Sequence, residues 1–122
     1  MRILVVEDDH KLGALLREGL GEEGFDIEWV KTGEEAIAQA LAEPWDLLLL
    51  DYMLPGRNGR EVAMEVRRAG RLFPILMLTA RDSAEDLKEA LRAGVSELMG
   101  KPFRFAELVD RIVRLTSTPT QG

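Results

Sequence analysis

The sequence contains no cysteine and a single histidine. Without cysteine the chain has neither a disulfide framework nor a thiolate metal site, and these absences favour the cytoplasm. Long hydrophobic runs are missing too, since none approaches the roughly 20 apolar residues that a membrane-spanning helix needs. Met1 leads directly into a short apolar run, which is typical of a strand rather than of a secretory signal. The sequence therefore predicts a cytoplasmic protein that does not insert into a membrane.

Positive charge is also in short supply. The chain has 22 acidic residues against 16 basic ones, which gives a net charge of -6. Proteins bind nucleic acid largely by neutralising phosphates with lysine and arginine. We therefore expect that this segment by itself does not bind DNA. Its 122 residues, of which 46% are hydrophobic and 31% charged, are typical of one globular domain.

Five short apolar runs alternate with five amphipathic segments along the chain. The runs, interpreted as strands, lie at residues 2–6, 25–30, 46–51, 74–79 and 97–100. This alternation predicts an α/β fold with a parallel sheet covered on both faces. Right-handed crossovers favour a flavodoxin-like doubly wound sheet of five strands in the order 2-1-3-4-5, with five helices. We expect a folded domain over residues 1–115 and a linker or disordered tail over residues 116–122, where periodicity is absent.

The helical periodicity predicts which side chains face the sheet. In the first helix the apolar positions are Leu12, Leu15, Leu16 and Leu20, and in the fourth helix they are Leu87, Ala90 and Leu91. In the third helix the charged residues are predicted to point outward, and these are Arg60, Glu65, Arg67 and Arg68.

Acidic side chains gather where two predicted strands end. Glu7 and Asp8 directly follow the first strand, and Asp51 ends a run of four leucines before a turn. In the predicted strand order these two strands are neighbours at the point where the chain reverses direction, so the carboxylates should meet. The fourth and fifth strands bring Thr79 and Lys101 to the same edge.

This set of residues predicts a particular chemistry. Carboxylate oxygens without histidine or cysteine form a hard cation site, which suits Mg²⁺. Asp51 could then act as a nucleophile toward phosphorus and form an acyl phosphate. A transferring phosphoryl group needs positive charge and hydrogen-bond donors around it. Lys101 offers an ammonium group, Thr79 a hydroxyl, and Ala80 a backbone N–H.

Four motifs resemble the receiver domain of bacterial two-component response regulators. They are ILVVEDD at residues 3–9, DLLLLD at 46–51 with MLPG at 53–56 and Gly59, PILMLTA at 74–80, and KPF at 101–103. The resemblance runs from residue 2 to about residue 115. It implies that a histidine kinase phosphorylates Asp51, with Thr79 as the switch hydroxyl and Lys101 paired with the phosphoryl group. It also implies a Mg²⁺ site at Glu7, Asp8, Asp51 and the main-chain carbonyl of Met53, and a cis Lys101–Pro102 peptide.

Further residues resemble the subfamily whose receivers are fused to winged-helix DNA-binding domains. These are Phe103, Glu107, Leu108 and Arg111, together with the segment TAR at residues 79–81. The resemblance implies DNA binding only through an output domain outside this sequence. It also implies a homodimer through the fourth helix, fifth strand and fifth helix, with candidate ion-pair residues Glu85, Asp86, Glu97, Glu107 and Arg111.

Some positions depart from the family pattern and keep alternatives open. Leu98 stands where the family usually has an aromatic residue, whose ring turns inward when the threonine moves. Gly100 predicts a looser fifth strand. One alternative is a receiver-like module that binds a partner without phosphorylation. Another is an aspartate-dependent phosphatase, which is disfavoured because Met53 occupies the position of its second acid. The phosphoacceptor domain, which is not itself an enzyme but assists its own phosphorylation and dephosphorylation, remains the main prediction.

Overall fold

The computed structural model describes residues 1–117, in which five strands alternate with five helices. The strands are β1 (Arg2–Val6), β2 (Asp26–Val30), β3 (Leu47–Asp51), β4 (Ile75–Thr79) and β5 (Glu97–Gly100). The helices are α1 (His10–Glu22), α2 (Gly33–Ala42), α3 (Gly59–Arg68), α4 (Ala84–Ala93) and α5 (Phe105–Ser117). All neighbouring strands are parallel, in the order β2-β1-β3-β4-β5. The predicted doubly wound fold and strand order are confirmed.

Both faces of the sheet are covered, so the two central strands β3 and β4 are buried along their whole length. Alternate residues of a strand point to opposite faces. Leu48 and Leu50 pack with residues of α2, α3 and α4, whereas Leu47 and Leu49 pack with residues of α1 and α5. This is why the third strand is a continuous leucine run rather than an alternation of apolar and polar residues.

Side-chain caps explain where several helices begin. The Asp9 carboxylate accepts hydrogen bonds from the backbone N–H groups of Lys11 and Leu12 at the start of α1, each at 3.4 Å. At the start of α3, Asn58 and Glu61 form a capping box in which each side chain accepts from the backbone N–H of the other. The cap of α1 matters for the site, because it fixes the backbone just beyond Glu7 and Asp8.

The sheet-facing stripes of two helices are narrower than predicted. Leu15 of α1 is 60% exposed, and Leu87 and Leu91 of α4 are 39% and 49% exposed, so their predicted burial was wrong. In α4 the buried positions are Ala90 and Ala93, which lie three residues apart on one face. α4 therefore packs through these two small side chains, and its two leucines, four residues apart, lie together on a more exposed side of the helix.

Arg67 does not point outward as predicted. It is half-buried, and its guanidinium donates hydrogen bonds to the carbonyl oxygens of Gly94 at 2.9 Å, Arg71 at 2.8 Å and Phe73 at 2.7 Å. Burial lowers the pKa of Arg67. The side chain thus ties the end of α3 to the turns that precede β4 and β5, which the helical periodicity could not indicate.

The last helix extends beyond the expected domain boundary. α5 continues through Ser117, so Thr116 and Ser117, which we expected in the tail, are helical. The hydroxyl of Thr116 donates to the carbonyl oxygen of Ile112 at 2.7 Å, as a helical residue can. The rest of the predicted tail, residues 118–122, lies outside the described part of the chain. Within residues 1–117, no helix combines the length and the apolar character needed to cross a membrane.

Candidate functional site

Three carboxylates meet at the carboxyl-terminal edge of the sheet, and we call Glu7, Asp8 and Asp51 the acidic cluster. Val6 of β1 pairs in register with Leu50 of β3, so the residues that follow, Glu7 and Asp51, lie side by side. Each of the three residues has a carboxylate oxygen within 4.8 Å of the others. Glu7 is only 1% exposed and Asp51 4%, whereas Asp8 is exposed. Two carboxylates are therefore buried together, with the third at the opening.

Lys101 places one positive charge in the acidic cluster. Its Nζ lies 2.8 Å from Oδ1 of Asp51 and 3.4 Å from Oε1 of Glu7. The backbone holds it there, because the Lys101 N–H donates to the carbonyl oxygen of Thr79 at 2.7 Å. The peptide bond from Lys101 to Pro102 is cis, as the family resemblance implied. The structure thus brings Glu7, Asp51 and Lys101 together, although each lies at the end of a different strand.

The acidic cluster contains more negative charge than Lys101 balances. Burial raises the pKa of Glu7, and the charge of Asp51 raises it further. The Asp9 N–H, which donates to Oε2 of Glu7 at 3.1 Å, and the Lys101 ammonium act in the opposite direction and do not cancel the effect. An additional cation beside Glu7 and Asp51 would therefore be electrostatically favourable.

Lys101 itself is held in its charged form. Burial alone lowers the pKa of Lys101, but the hydrogen bond and charge of Asp51, with those of Glu7, outweigh burial and raise the pKa overall. The ammonium group is consequently present throughout the neutral pH range. Its bond to Oδ1 of Asp51 leaves the second oxygen, Oδ2, outside this ion pair.

Thr79 ends β4, next to the end of β3, and is 5% exposed. Its Oγ1 accepts a hydrogen bond from the backbone N–H of Arg81 at 3.0 Å. Since the oxygen accepts in this bond, the hydroxyl hydrogen is available to donate elsewhere. Ala80, directly after β4, is exposed, and Met53, in the turn after β3, is 71% exposed. The predicted roles of Thr79, Ala80 and the Met53 carbonyl remain predictions.

Gly59 allows α3 to begin very close to the end of β3. A Cβ atom on Gly59 would lie 2.6 Å from the carbonyl oxygen of Asp51 and 2.9 Å from Cα of Tyr52. The Gly59 N–H instead donates to the carbonyl oxygen of Tyr52 at 2.8 Å. This close contact fixes the backbone that carries Asp51, and only glycine fits there.

Trp29 supports the acidic cluster in a way that the sequence did not reveal. Its indole Nε1 donates to the backbone carbonyl oxygen of Glu7 at 2.8 Å. The ring lies against Gly13 of α1, where a Cβ would come within 2.0 Å of the ring carbon Cζ2. Gly13 lies inside α1, where glycine otherwise destabilises a helix, and this is the signal that the sequence offered. Trp29 and Gly13 together position the main chain of Glu7.

Gly100 has a comparable steric role on β5. A Cβ on Gly100 would lie 2.3 Å from Oδ2 of Asp82, so the glycine makes room for the Asp82 side chain. Asp82 belongs to the loop that connects Thr79 to α4. The departure from the family pattern at Gly100 therefore coincides with a close contact between β5 and this loop.

A second charged group, which we call the β5–α5 ion-pair cluster, contains Glu97, Glu107, Arg111 and Arg114. Arg111 lies 2.9 Å from Glu97 and 3.0 Å from Glu107, and Arg114 pairs with Glu97. Three of the residues that the resemblance assigned to a dimer interface thus pair within the chain. Of the other two, Glu85 lies 4.0 Å from Lys88, and Asp86 completes the capping box of α4.

The donor set of the acidic cluster fits a hard divalent cation. Its ligands would be carboxylate oxygens, and Mg²⁺ prefers oxygen ligands and binds to proteins through one or two carboxylates while keeping several waters. The exposed position of Asp8 leaves one side of the cluster open to water. The charge excess and the ligand chemistry thus agree with the predicted cation site.

Comparison with known proteins identifies relatives for nearly the whole chain. The family model of the response regulator receiver domain matches residues 3–113. The transcriptional activator protein IrlR of Burkholderia pseudomallei is 47% identical over 112 residues, which are 92% of this chain and 48% of that protein. The chain therefore spans about half the length of this curated relative.

Solved structures show the same fold. The non-phosphorylated HemR receiver domain from Leptospira biflexa is 36% identical, with a TM-score of 0.87 over 99% of this chain and 98% of that one. The receiver domain of a sensor histidine kinase from Pseudomonas aeruginosa PAO1 is 31% identical, with a TM-score of 0.87 over 96% of this chain and 98% of that one. That protein is described with a magnesium ion coordinated in its active-site cleft.

Proposed function

The chain belongs to the response regulator receiver domain family, and from this premise we propose that it accepts a phosphoryl group on Asp51 in a two-component signalling system. The observation that carries the proposal is the ion pair between Lys101 and Asp51 inside a buried cluster with excess negative charge. A lysine that only neutralised one acid would not require two further carboxylates around it. The arrangement is instead suited to binding a cation together with a phosphoryl group.

The proposed donor is the phosphohistidine of a histidine kinase. A carboxylate oxygen of Asp51 attacks the phosphorus atom, and the bond between phosphorus and the imidazole nitrogen breaks. The bonding electron pair stays with the imidazole, whose other ring nitrogen carries a proton, so the ring leaves as neutral histidine and Asp51 becomes an acyl phosphate. Such a transfer needs positioning and charge stabilisation more than it needs a base.

Three donors of this chain would stabilise the transferring group. The Lys101 ammonium, already 2.8 Å from Asp51, would bind one phosphoryl oxygen. The Thr79 hydroxyl hydrogen, which is not used in the bond from Arg81, would donate to a second oxygen, with the Ala80 N–H nearby. These donors are part of the folded edge before the phosphoryl group arrives, so little reorganisation is needed.

We further propose that the acidic cluster holds Mg²⁺ through Glu7, Asp8, Asp51 and the main-chain carbonyl of Met53. When bound, the ion supplies positive charge to the carboxylates and to the phosphoryl oxygens. The raised pKa of Glu7 supports this proposal, because its causes are burial first and then the charge of Asp51, and a bound cation would offset both. Asp8, which is exposed, lies where an entering hydrated ion would meet the site first.

The family is one of signalling domains in transcription regulators rather than of catalytic enzymes. We propose in addition that the same residues assist the phosphorylation and dephosphorylation of Asp51. A phosphatase that turns over external substrates is not supported, because the side chain two residues after Asp51 is Met53, which is apolar and 71% exposed. The position therefore offers no acid for a leaving group.

The output is proposed to lie outside this sequence. IrlR is named a transcriptional activator, and this chain covers 48% of its length. With a net charge of -6 the receiver itself is a poor partner for DNA, so we propose that an output domain of the full protein binds it in the cytoplasm. A homodimer through α4, β5 and α5 is supported by the exposed leucines Leu87 and Leu91 on α4, which form an apolar surface among charged residues.

Intact-mass analysis tests the phosphoacceptor proposal. After incubation with acetyl phosphate and Mg²⁺, the wild-type chain should gain the mass of one phosphoryl group, and Asp51→Asn should gain none. Asp46→Asn is the matched control, because Asp46 directly precedes the strand that Asp51 ends and is exposed. An undiminished mass gain in a folded Asp51→Asn protein would refute the proposal.

A further inference from the structure

The main chain of Glu7 is held by β2 through both of its polar groups. Its N–H donates to the carbonyl oxygen of Val30 at 3.1 Å, which continues the pairing of β1 with β2. Its carbonyl oxygen accepts a hydrogen bond from Nε1 of Trp29 at 2.8 Å, and this bond comes from a side chain rather than from the sheet. The two peptide groups on either side of the Glu7 Cα atom are therefore both fixed in orientation.

The indole bond acts on the peptide group that leads into Asp8. Because a peptide group is planar, the Glu7 carbonyl and the N–H and Cα of Asp8 turn as one unit. The two carboxylate oxygens of Glu7 are held by Lys101 and by the Asp9 N–H. The Asp8 carboxylate differs, because within residues 1–117 it has no hydrogen bond and no ion pair. The direction of the Asp8 side chain thus depends on its backbone, which Trp29 helps to hold.

The Trp29 ring is itself held by neighbours on α1 and beyond the end of β2. It lies so close to Gly13 that a Cβ there would come within 2.0 Å of the ring carbon Cζ2. The guanidinium carbon of Arg17 and Nζ of Lys31 each lie 5.1 Å from the ring centroid, a distance at which a cation is attracted to an aromatic ring. The indole N–H is therefore directed at the Glu7 carbonyl before any ligand binds.

We propose that Trp29 is a positioning residue for the divalent cation, and that its bond to the Glu7 carbonyl directs the Asp8 carboxylate toward the ion. Residues that orient metal ligands without touching the metal commonly raise metal affinity about 10- to 100-fold. The inference rests on the proposed Mg²⁺ site and adds to it a residue that does not contact the ion. The role belongs to the indole N–H, whereas a packing role would belong to the ring.

The second of the two tryptophans in the chain provides a matched control. Trp45 directly precedes the opposite edge of the sheet, and its Nε1 donates to the carbonyl oxygen of Gln39 at 2.9 Å. Trp29→Phe and Trp45→Phe each keep an aromatic ring and remove one indole bond to a carbonyl. Titration with MgCl₂, followed by the backbone amide NMR signals of Asp9 and Gly59, measures the affinity. Trp29→Phe should weaken Mg²⁺ binding about tenfold, and Trp45→Phe should bind Mg²⁺ as the wild type does.

The rate of phosphorylation separates this role from a role in the chemical step. With acetyl phosphate as the donor, the Mg²⁺ concentration for half-maximal rate should rise about tenfold in Trp29→Phe, in line with the weaker binding. The rate at saturating Mg²⁺ should equal that of the wild type, because Lys101 and Thr79 are unchanged. A lower saturated rate with unchanged Mg²⁺ affinity would contradict the positioning role.

A second pair of variants reaches the same hydrogen bond from α1. Gly13→Ala places a methyl group against the ring and displaces Trp29, whereas the methyl group of Gly21→Ala, in the same helix, meets no side chain of residues 1–117 within 4 Å. Both changes favour the helix, since alanine replaces glycine. Gly13→Ala should weaken Mg²⁺ binding and Gly21→Ala should not.

The outcomes separate this inference from the Mg²⁺ site on which it rests. If the wild type binds Mg²⁺ saturably and Trp29→Phe and Gly13→Ala bind it equally well, the role of Trp29 is overturned and the Mg²⁺ site stands. Equal weakening in Trp45→Phe or Gly21→Ala would also overturn that role, because the effect would then reflect stability in general. If the wild type shows no saturable Mg²⁺ binding, the site and the role of Trp29 are both overturned.

Discussion

Two groups of charged residues in this molecule have opposite charge balances. The acidic cluster holds three carboxylates with one ammonium, Lys101, and two of the carboxylates are buried. The β5–α5 ion-pair cluster holds two carboxylates and two guanidiniums. Its residues are more exposed, since the side chain of Glu107 is 50% accessible and that of Arg111 29%.

The difference supports the proposal that the acidic cluster binds a ligand. In the β5–α5 ion-pair cluster every charge has an opposite partner within the chain, and exposed pairs of this kind stabilise a protein only slightly. In the acidic cluster burial, and after it the charge of Asp51, raises the pKa of Glu7, because the Asp9 N–H and Lys101 do not offset them fully. Residues that are costly to bury without a partner are expected at functional sites. Substitutions in the two clusters should therefore have different consequences.

The largest contrast is expected in the rate of phosphorylation. Lys101→Ala removes the ammonium that lies 2.8 Å from Asp51, and the loss of one donor to a developing charge typically slows a reaction about 100-fold or more. Arg111→Ala removes a cation of similar accessibility from the other cluster and should leave the rate unchanged. The measurement is the time course of phosphorylation by acetyl phosphate. Equal rates in the two variants would contradict the assignment of Lys101.

The second contrast concerns Mg²⁺ affinity. Glu7→Gln and Asp8→Asn should each weaken binding about tenfold or more, because each removes a negative ligand oxygen from the acidic cluster. Glu107→Gln should bind Mg²⁺ as the wild type does. Trp29 offers a fluorescence signal for the titration, since its indole donates to the Glu7 carbonyl at 2.8 Å. Full affinity in Asp8→Asn would exclude that residue as a ligand.

The third contrast is in stability without metal. Burial makes the ionised form of Glu7 unfavourable, so Glu7→Gln should raise the free energy of unfolding at neutral pH, by about 1.4 kcal/mol for each unit of pKa increase removed. Glu97→Gln, which breaks ion pairs with Arg111 and Arg114, should lower it. Urea unfolding in the presence of a chelator measures both. A destabilised Glu7→Gln protein would show that the negative charge is in fact compensated.

The sign of the pH dependence follows from the same pKa. Because the folded-state pKa of Glu7 is raised above the ordinary value of 4.5, the folded protein binds a proton that the unfolded chain has already released. Stability should therefore fall as the pH rises from about 4.5 through the folded-state pKa. The stability of the Glu7→Gln protein should fall less over this pH range. If the stabilities of the two proteins changed in parallel with pH, the raised pKa of Glu7 would be contradicted.

The smallest effect is expected in the β5–α5 ion-pair cluster itself. Arg111→Ala should reduce the free energy of unfolding by about 0.5 to 1 kcal/mol, because its pairs with Glu97 and Glu107 are partly accessible to water. Added salt should shrink the difference, since ions screen exposed charges. Urea unfolding at two salt concentrations measures this. A loss several times larger that does not respond to salt would mean that the cluster is essential to the fold.

The sequence was sufficient to predict the parts of the fold that depend on local pattern. The leucine run before Asp51 indicated a strand buried on both faces, and parallel strands necessarily bring their carboxyl ends to one edge. That geometry alone predicts that Glu7, Asp51 and Lys101 lie together. The strand order, which the structure confirms, is therefore the main feature that brings the site residues together.

Features that depend on contacts between distant segments could not be predicted. Arg67 has the spacing of an outward-facing helical residue, but it bonds to a carbonyl 27 positions away at Gly94. Leu87 and Leu91 fit an apolar stripe, yet α4 contacts the sheet through two alanines instead. The support of Glu7 by Trp29 likewise arises from packing between elements, to which local periodicity is insensitive.

Chemical trapping of the acyl phosphate tests the central claim most directly. Borohydride reduces an aspartyl phosphate to homoserine, so peptide sequencing after phosphorylation and reduction identifies the modified residue. We predict homoserine at position 51 alone, with Asp8 and Asp46 recovered as aspartate. Homoserine at position 8, or full recovery of Asp51 from protein that has gained the phosphoryl mass, would contradict the assignment of Asp51 as the phosphoacceptor.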